Sequence, residues 1–294
     1  MNILVSGLVN IETTLKIDGF PLPYFPVHYC FGAVGSSVSG VGVNVAKALK
    51  VLGDEVHFLS LIGSDANGFL VQKDFEDSGF AVGGILPLLK ETPQSVILYD
   101  DDGRREIHVD LKDIQDWKYP NKEYENTVKA SQAAVLCNIN FNRHLLPLAK
   151  AGGIPILTDV HVLSDPKDTY NTDFMSHSDI LFLSNEKLWD TPKECAKELL
   201  SLYSMKAVII GLGEKGALLA QRERPAKLFP AVITRKIVNT IGAGDALFSA
   251  FTHFWLQGVS MEDSVQKAIQ FASWKIGEKG AASGFLTETE LASL

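Results

Sequence analysis

Short apolar runs alternate with longer segments of helical period along most of this chain. The apolar runs lie at residues 3–6, 56–62, 133–136, 154–158, 180–183 and 207–210, and clear helical segments lie at residues 44–52 and 192–203. Strands that alternate with helices favour a parallel sheet, because each helix carries the chain back across a face of that sheet. The pattern therefore predicts an α/β fold with parallel strands and crossover helices.

Two regions interrupt this alternation and predict a second, smaller sheet. The first contains strand-like residues 12–17 and 27–33, and the second contains residues 95–99 and 106–110 on either side of an Asp-Asp-Asp-Gly turn. Glycine after aspartate in a short turn favours a β-hairpin. No repeat or flexible linker divides the chain. We therefore predict one domain over residues 1–294, with a small antiparallel β lid inserted at residues 12–33 and 95–110.

Composition limits the classes of partner. The net charge is −8, and 46% of the 294 residues are hydrophobic, which is typical of a globular protein with a sizeable core. No run rich in Lys and Arg is present, so we expect neither nucleic acid nor an anionic membrane surface as a partner. The N-terminal segment does not resemble a signal peptide, and no apolar stretch is long enough to span a bilayer. We expect a cytoplasmic protein that acts on a small molecule.

The three cysteines indicate no disulfide framework. Cys30, Cys137 and Cys195 are odd in number and widely spaced, which favours reduced thiols over disulfides or a zinc site. We expect each of them to be buried as a small apolar side chain.

The sequence NTIGAGD at residues 239–245 leads into an apolar, helix-forming run. Gly242 and Gly244 let a ligand approach the main chain, and the first turn of the next helix has N–H groups without intrahelical acceptors. A phosphate suits such a site. Asp245 would repel that phosphate unless it takes a proton from an attacking hydroxyl. An ordinary helix-terminal carboxylate beside a glycine turn is the alternative.

Two further glycine clusters accompany this motif. Gly40 and Gly42, followed by Asn44, suit a polyhydroxylated ligand, although a tight turn with Asn44 as the helix N-cap accounts for the same residues. The sequence GLGEKG at residues 211–216 matches the GxGxxG pattern of dinucleotide-binding proteins. Residues 217–220 look like another strand, however, and no ribose-binding acidic residue follows at the expected distance, so an oxidoreductase is disfavoured.

Together the three clusters resemble the ribokinase/PfkB family of carbohydrate and nucleoside kinases. The sequence SGVGVNVAKALKVLGDEVHFLSLIGSDANG at residues 39–68 is similar to the amino-terminal signature of that family. VNTIGAGDALFSAF at residues 238–251 is similar to its carboxy-terminal signature, and IIGLGEKGALL at residues 209–219 to its nucleotide-side strand and turn. The order and spacing of the three matches make the resemblance specific, and it covers essentially the whole chain.

The resemblance implies a ribokinase-like three-layer sandwich, with a central mostly parallel sheet, helices on both faces and a small β lid over the sugar. It also implies transfer of the γ-phosphoryl group of ATP to a hydroxyl, with Mg²⁺ neutralising the phosphates. Asp245 corresponds to the catalytic base, and the backbone N–H groups of Gly242, Ala243 and Gly244 correspond to the anion hole. Substrate-binding positions correspond to Glu12, Gly40, Gly42, Asn44 and Asp245, and ATP-binding positions to Asn185, Gly211, Gly213, Gly216, Gly242 and Gly244. The residues that would bind the metal stay open.

Three positions depart from the pattern of the family. Glu12 replaces an Asp that often grips the substrate, so the sugar pocket must be shaped differently. Leu188 replaces the Glu of the NxxE motif that begins at Asn185, which weakens the case for the magnesium–water network tied to that Glu. Asn239 replaces an Asp associated in some relatives with a monovalent cation site, and the lost charge weakens the case for potassium activation.

Several interpretations stay open. Asn239 and the segment VLCNI at residues 135–139 also resemble pseudouridine kinase, so a nucleoside acceptor is the main alternative to a sugar. A non-catalytic sensor with the same fold is a second alternative. The pair Arg104-Arg105 is either a solvated turn or a site for a phosphorylated sugar, and Asp159 either faces a ligand or caps the next element. A homodimer is expected if the lids of two subunits pair.

Overall fold

Thirteen strands form two separate sheets in the computed structural model, which describes residues 1–294. In chain order they are β1 (Asn2–Ser6), β2 (Asn10–Lys16), β3 (Val34–Ser39), β4 (Glu55–Gly63), β5 (Ile85–Leu89), β6 (Gln94–Tyr99), β7 (Arg105–Asp110), β8 (Ala133–Leu136), β9 (Ile156–Asp159), β10 (Ile180–Ser184), β11 (Ala207–Gly211), β12 (Ala217–Gln221) and β13 (Lys227–Phe229). The nine-stranded main sheet has the order β13-β12-β11-β10-β9-β8-β1-β4-β5. Only the β11–β12 and β12–β13 pairs are antiparallel, which confirms the predicted mostly parallel central sheet.

Ten α-helices connect or flank these strands. They are α1 (Val41–Leu52), α2 (Ala66–Asp77), α3 (Asn121–Ala130), α4 (Asn140–Arg143), α5 (Leu146–Ala151), α6 (Thr172–His177), α7 (Pro192–Leu202), α8 (Ala243–Leu256), α9 (Met261–Lys275) and α10 (Glu288–Leu291). None of them combines the length and apolar character needed to cross a bilayer.

The helices cover both faces of the main sheet, as strand β1 illustrates. Ile3 and Val5 lie in a core cluster with side chains of α1, α8 and α9. Leu4, between them, lies in a second cluster with side chains of α3 and α5. Successive side chains of a strand point to opposite faces, so these clusters occupy opposite sides of the sheet. The predicted three-layer sandwich is confirmed.

The second sheet has the strand order β3-β2-β6-β7. The β2–β3 and β6–β7 pairs are antiparallel, the second of them as predicted, but β2 and β6 run parallel, so the sheet is mixed. The physical reason is that β2 follows β1 and β6 follows β5, and these two strands of the main sheet run in the same direction. The two segments that form the second sheet therefore both leave the main sheet at the carboxyl ends of its parallel strands.

The predicted hairpin between β6 and β7 is present. Its turn is stabilised by Asp100, whose Oδ1 accepts hydrogen bonds from the backbone N–H groups of Asp102 and Arg104 at 3.1 and 3.0 Å. Gly103 has φ +80°, a backbone conformation that glycine adopts without strain.

The strand predicted at residues 27–33 is not formed, because β3 begins only at Val34. Strand β2 ends at Lys16, whose N–H donates to the carbonyl of Ala33, so residues before Ala33 have no strand to pair with. Most of residues 17–33 are exposed. Cys30 lies in this loop and is exposed, which contradicts its predicted burial, whereas Cys137 and Cys195 are buried and all three thiols are free.

Candidate active site

Residues 239–244, which lead into α8 and form its first residues, turn sharply at Gly242. The φ of Gly242 is +76°, and a Cβ built on it would lie 2.9 Å from the carbonyl oxygen of Ala281. A larger residue would therefore strain the backbone and also collide with the neighbouring segment. We call residues 239–244 the glycine loop.

The backbone donors at the start of α8 are largely free. The N–H groups of Gly242, Gly244 and Asp245 have no acceptor within the chain, whereas that of Ala243 donates to a carbonyl of the loop at 3.3 Å. Unpaired donors at a helix N-terminus, together with the positive end of the helix dipole, attract an anion. The glycine loop can therefore receive a phosphate, with the Ala243 donor less available than the sequence analysis predicts.

Asp245 lies in the first turn of α8 and is partly exposed. Its Oδ2 accepts a hydrogen bond of 2.6 Å from Nδ2 of Asn44. Desolvation raises the pKa of Asp245 above its usual value, and the bond from Asn44 and the charge of His161 oppose that rise. A raised pKa makes this carboxylate a better proton acceptor than an ordinary surface aspartate. The bond from Asn44 and the raised pKa distinguish Asp245 from an ordinary carboxylate at a helix terminus.

The first turn of α1 presents Asn44 to Asp245. The helix begins at Val41, with Gly40 (φ +108°) as its N-cap, so Asn44 lies inside the helix and does not cap it. A Cβ on Gly42 would lie 2.7 Å from the carbonyl carbon of Gly7, and only glycine permits this approach of α1 to the end of β1. The alternative that Asn44 is the N-cap is wrong, and its amide is free to hold the carboxylate.

A hydrogen-bond chain connects Asn44 to the lid. Ser39, which is fully buried, places its hydroxyl 3.1 Å from Oδ1 of Asn44 and 3.1 Å from Oε2 of Glu12. Burial raises the pKa of Glu12, and the nearby charge of Asp245 adds to that rise. Because Glu12 belongs to β2 and Asp245 to α8, the chain of contacts joins the lid sheet to the glycine loop.

Two buried acceptors of the lid have no hydrogen-bond partner in the protein. They are Oε1 of Glu12 and Oδ1 of Asn10. These residues are two apart on β2, so their side chains point to the same face of the lid sheet. A buried acceptor without a partner costs about 1–3 kcal/mol, which a ligand hydroxyl would recover. Asn10 was not among the predicted site residues.

Arg105 connects the lid directly to the glycine loop. Its guanidinium Nη1 donates to the carbonyl oxygen of Thr240 at 2.8 Å and to Oγ1 of the same residue at 3.1 Å. Arg104, by contrast, forms ion pairs with Asp100 and Asp102 of the hairpin turn. The two neighbouring arginines therefore have different roles. Arg104 stabilises the hairpin turn, and Arg105 reaches the predicted phosphate site.

Asp159 lies at the end of β9 and serves the local turn. Its Oδ1 accepts a 2.8 Å hydrogen bond from the backbone N–H of His161, and its charge also raises the pKa of Asp245. It therefore caps the local turn, as one interpretation of the sequence predicts, and a contact of Asp159 with a ligand stays a prediction.

Two of the predicted ATP-binding residues, Gly242 and Gly244, lie in the glycine loop, and the other four form a separate group. Gly211 ends β11, and residues 211–216 turn directly into β12, as the sequence predicts, with no crossover helix. Asn185 is exposed after β10, and its N–H donates to the carbonyl of Gly211 at 2.9 Å. A Cβ on Gly211 would lie 4.0 Å from Leu247 of α8. The group is therefore adjacent to the helix that carries Asp245, although no hydrogen bond connects the two.

Comparison with known proteins identifies the family. A family profile described as pfkB family carbohydrate kinase matches residues 2–288. The chain belongs to the pfkB family of carbohydrate kinases. It is 24% identical to the ribokinase of Arabidopsis thaliana over 299 residues, which cover 95% of this chain and 77% of that protein.

Solved structures of two kinases share the fold along the whole chain. A microbiome-derived acarbose kinase superposes with a TM-score of 0.90 at 21% identity, covering 100% of this chain and 98% of that one. Arabidopsis thaliana ribokinase complexed with ribose and ATP gives a TM-score of 0.83 at 20% identity, covering 99% and 97%. This pfkB chain is a carbohydrate or nucleoside kinase that uses ATP.

The side chains of this pfkB kinase form no metal-binding site of their own. No group of three or more His, Cys, Asp or Glu side chains converges. Leu188 is partly buried against a core cluster of β10, β11 and α7, so its role is packing, and Glu186 is exposed in a turn. Magnesium in phosphoryl-transfer sites is held mainly by substrate phosphates, water and one or two carboxylates, so these residues are compatible with a Mg²⁺–ATP substrate.

Proposed function

We propose that this protein transfers the γ-phosphoryl group of ATP to a hydroxyl of a sugar, with Asp245 as the general base. The acceptor hydroxyl gives its proton to the Asp245 carboxylate while its oxygen forms a bond to the γ-phosphorus. The bond from that phosphorus to the bridging oxygen of ADP breaks, and ADP leaves. Such transfer depends on positioning and charge stabilisation more than on covalent chemistry.

One observation carries the proposal: Asn44 holds Asp245 beside unpaired backbone donors of the glycine loop. The base and the anion site therefore lie in a single turn. The free N–H groups of Gly242 and Gly244 would bind the transferring phosphoryl oxygens, and Arg105 would add positive charge from the lid. Magnesium, when bound with ATP, would neutralise phosphate charge.

The buried acceptors of the lid support a polyhydroxylated acceptor. Oε1 of Glu12 and Oδ1 of Asn10 are suited to accept hydrogen bonds from sugar hydroxyls, and Ser39 couples Glu12 to the base. A carboxylate can bridge two hydroxyls, as the Asp of related kinases is expected to do. Glu12 is one methylene longer, so the pocket around the acceptor differs in shape from theirs.

A substrate panel tests this proposal. ATP consumption is measured with pentoses, hexoses, a phosphorylated sugar, oligosaccharides and nucleosides, for wild type and for Asp245→Asn. We expect the substitution to lower kcat by about 10²–10⁴-fold, because the base is lost while the backbone donors are kept. Asp116→Asn, an exposed carboxylate in a 3-10 turn, is the matched control and should be unaffected.

Each other outcome contradicts part of the proposal. Activity of Asp245→Asn within a few-fold of wild type would show that another group takes the proton. Turnover of nucleosides alone would replace the sugar by a nucleoside acceptor. Thermal stabilisation by a panel member without ATP consumption would favour the non-catalytic sensor.

A further inference from the structure

Lys275 is a fully buried lysine at the C-terminal end of α9. Its ammonium donates to the carbonyl oxygen of Gly280 at 2.6 Å and lies 3.5 Å from the carbonyl oxygen of Ile241. No carboxylate forms an ion pair with it. A buried ammonium without such a partner is costly, so its retention calls for an explanation beyond packing.

The two carbonyls belong to segments that meet behind the glycine loop. Ile241 is part of the loop, and Gly280 is part of the segment of residues 276–284 that follows α9. Asn239 strengthens the same junction, because its Nδ2 donates to the carbonyls of Glu278 and Lys279 at 3.2 and 3.0 Å. Lys275 therefore bonds both segments that shape the back of the loop.

The charges around Lys275 point to an electrostatic role. Asp245 and Glu12 attract its ammonium from the active site, and Glu278 attracts it from the following segment, while Arg235 repels it. A positive charge directly behind unpaired N–H groups adds to the potential that attracts a phosphoryl group. It is fixed by the fold and needs no reorganisation during the reaction.

A free monovalent cation does not fit this position. Backbone carbonyls are the ligands by which proteins replace the hydration shell of potassium, and here the carbonyls of Ile241 and Gly280 contact an ammonium. Asn239, moreover, carries no formal charge and uses its amide as a donor to this segment. The one position that the resemblance associates with such a site is thus uncharged and engaged within the protein.

We infer that Lys275 is a built-in monovalent cation of the glycine loop, which positions the loop and makes this kinase independent of potassium. The inference rests on the proposed function of the loop as the phosphoryl-binding site. Lys275 is fully buried and its ammonium contacts only backbone carbonyls, so it acts as a positioning residue.

The test combines potassium titration with removal of the ammonium. Kinase activity of wild type and Lys275→Met is measured with KCl, ammonium chloride or tetramethylammonium chloride at equal ionic strength. Wild type should change less than about twofold among the salts, whereas Lys275→Met without potassium should lose about 100-fold in kcat. Potassium or ammonium should restore about tenfold or more of that loss, and tetramethylammonium should not. Lys267→Met, on the same helix, is the matched control.

Thermal unfolding gives a readout that does not depend on activity. KCl should raise the Tm of Lys275→Met relative to tetramethylammonium chloride, because a cation binds only the folded variant, and it should leave the Tm of wild type unchanged. If Lys275→Met does not fold, Lys275→Gln replaces it in both measurements.

Three results would overturn the inference. They are activation of wild type by potassium of about tenfold or more, full activity of the variant without potassium, and loss of activity without any rescue or stabilisation by potassium. If wild type turns over no member of the panel, the proposed function fails, while the Tm comparison still decides the role of Lys275.

Discussion

The hydrogen bond from Asn44 to Asp245 offers the sharpest test of the proposed base. In Asn44→Ala, the donor that lies 2.6 Å from Oδ2 of Asp245 is lost, while α1 keeps a good helix former. The bond stabilises the ionised carboxylate and opposes the rise in pKa that burial causes. Its removal should therefore raise the pKa of Asp245 further.

The magnitude follows from the strength of the bond. A hydrogen bond to a charged group contributes about 1.5–3 kcal/mol, and one pKa unit corresponds to about 1.4 kcal/mol. Asp245 is partly exposed, so solvent screens the interaction and the lower value applies. We expect the pKa of the base to rise by about one unit, which lowers kcat/KM about tenfold on the acid side of the profile.

The assay is the pH dependence of kcat/KM with saturating ATP and a varied acceptor, which reports ionisations of the enzyme before the acceptor binds. Asn44→Asp should shift the acid limb further in the same direction, because a second carboxylate disfavours ionisation of the first. Asn126→Ala, in an exposed position of α3, is the matched control. Glu12 also has a raised pKa, so repeating the series in Glu12→Gln separates the two carboxyl groups.

An acid limb that stays in place in Asn44→Ala would refute the reasoning, since the bond would then have no effect on the group that titrates. A shift to lower pH in Asn44→Asp would refute it as well. A uniform loss of kcat/KM at every pH would show that Asn44 positions a group without tuning its ionisation.

Three further predictions test other parts of the site. Glu12→Ala should raise the KM of the acceptor about 10- to 100-fold through lost hydrogen bonds, with kcat changed less, and exposed Glu123→Ala should leave steady-state kinetics unchanged. In denaturant titrations, Gly242→Ala should lower the free energy of unfolding by more than Gly258→Ala. Both glycines have positive φ, but only a Cβ on Gly242 would collide with a neighbouring carbonyl. Equal losses would exclude the steric contribution. Burial lowers the pKa of Lys275 from 10.5 to about 8, so the unfolded chain binds more protons between these values. The free energy of unfolding should therefore rise by up to about 3 kcal/mol over that range, and urea titrations of Lys275→Met should lack this rise.

The sequence predicts much of this architecture because the relevant signals are local. Apolar runs alternating with helical periods predict the parallel sheet, and the Asp-Gly turn predicts the β6–β7 hairpin. The strand expected at residues 27–33 was wrong because a strand also needs a partner, and β2 ends at Lys16. The expected burial of Cys30 failed for the same reason, since it lies in the loop left unpaired.

The contacts of the candidate site could be predicted only in part. Glycine spacing and the family resemblance indicate Asp245, Asn44 and Glu12, but nothing in the sequence indicates that Ser39 connects the latter two. Arg105 was recognised as a basic residue, yet its contact with Thr240 depends on how the lid lies over the glycine loop.

By itself, the sequence determined the α/β class, the family and a glycine turn that carries a carboxylate, because each depends on residues that are close together in the chain. Only the tertiary structure decided which side chains hold that carboxylate and what lies behind the loop. Lys275 shows the physical reason. In the sequence it resembles any basic residue at the end of a helix, where a lysine favours the helix dipole. It is buried between two carbonyls because the next segment packs over the end of the helix. No pattern of neighbouring residues predicts this packing.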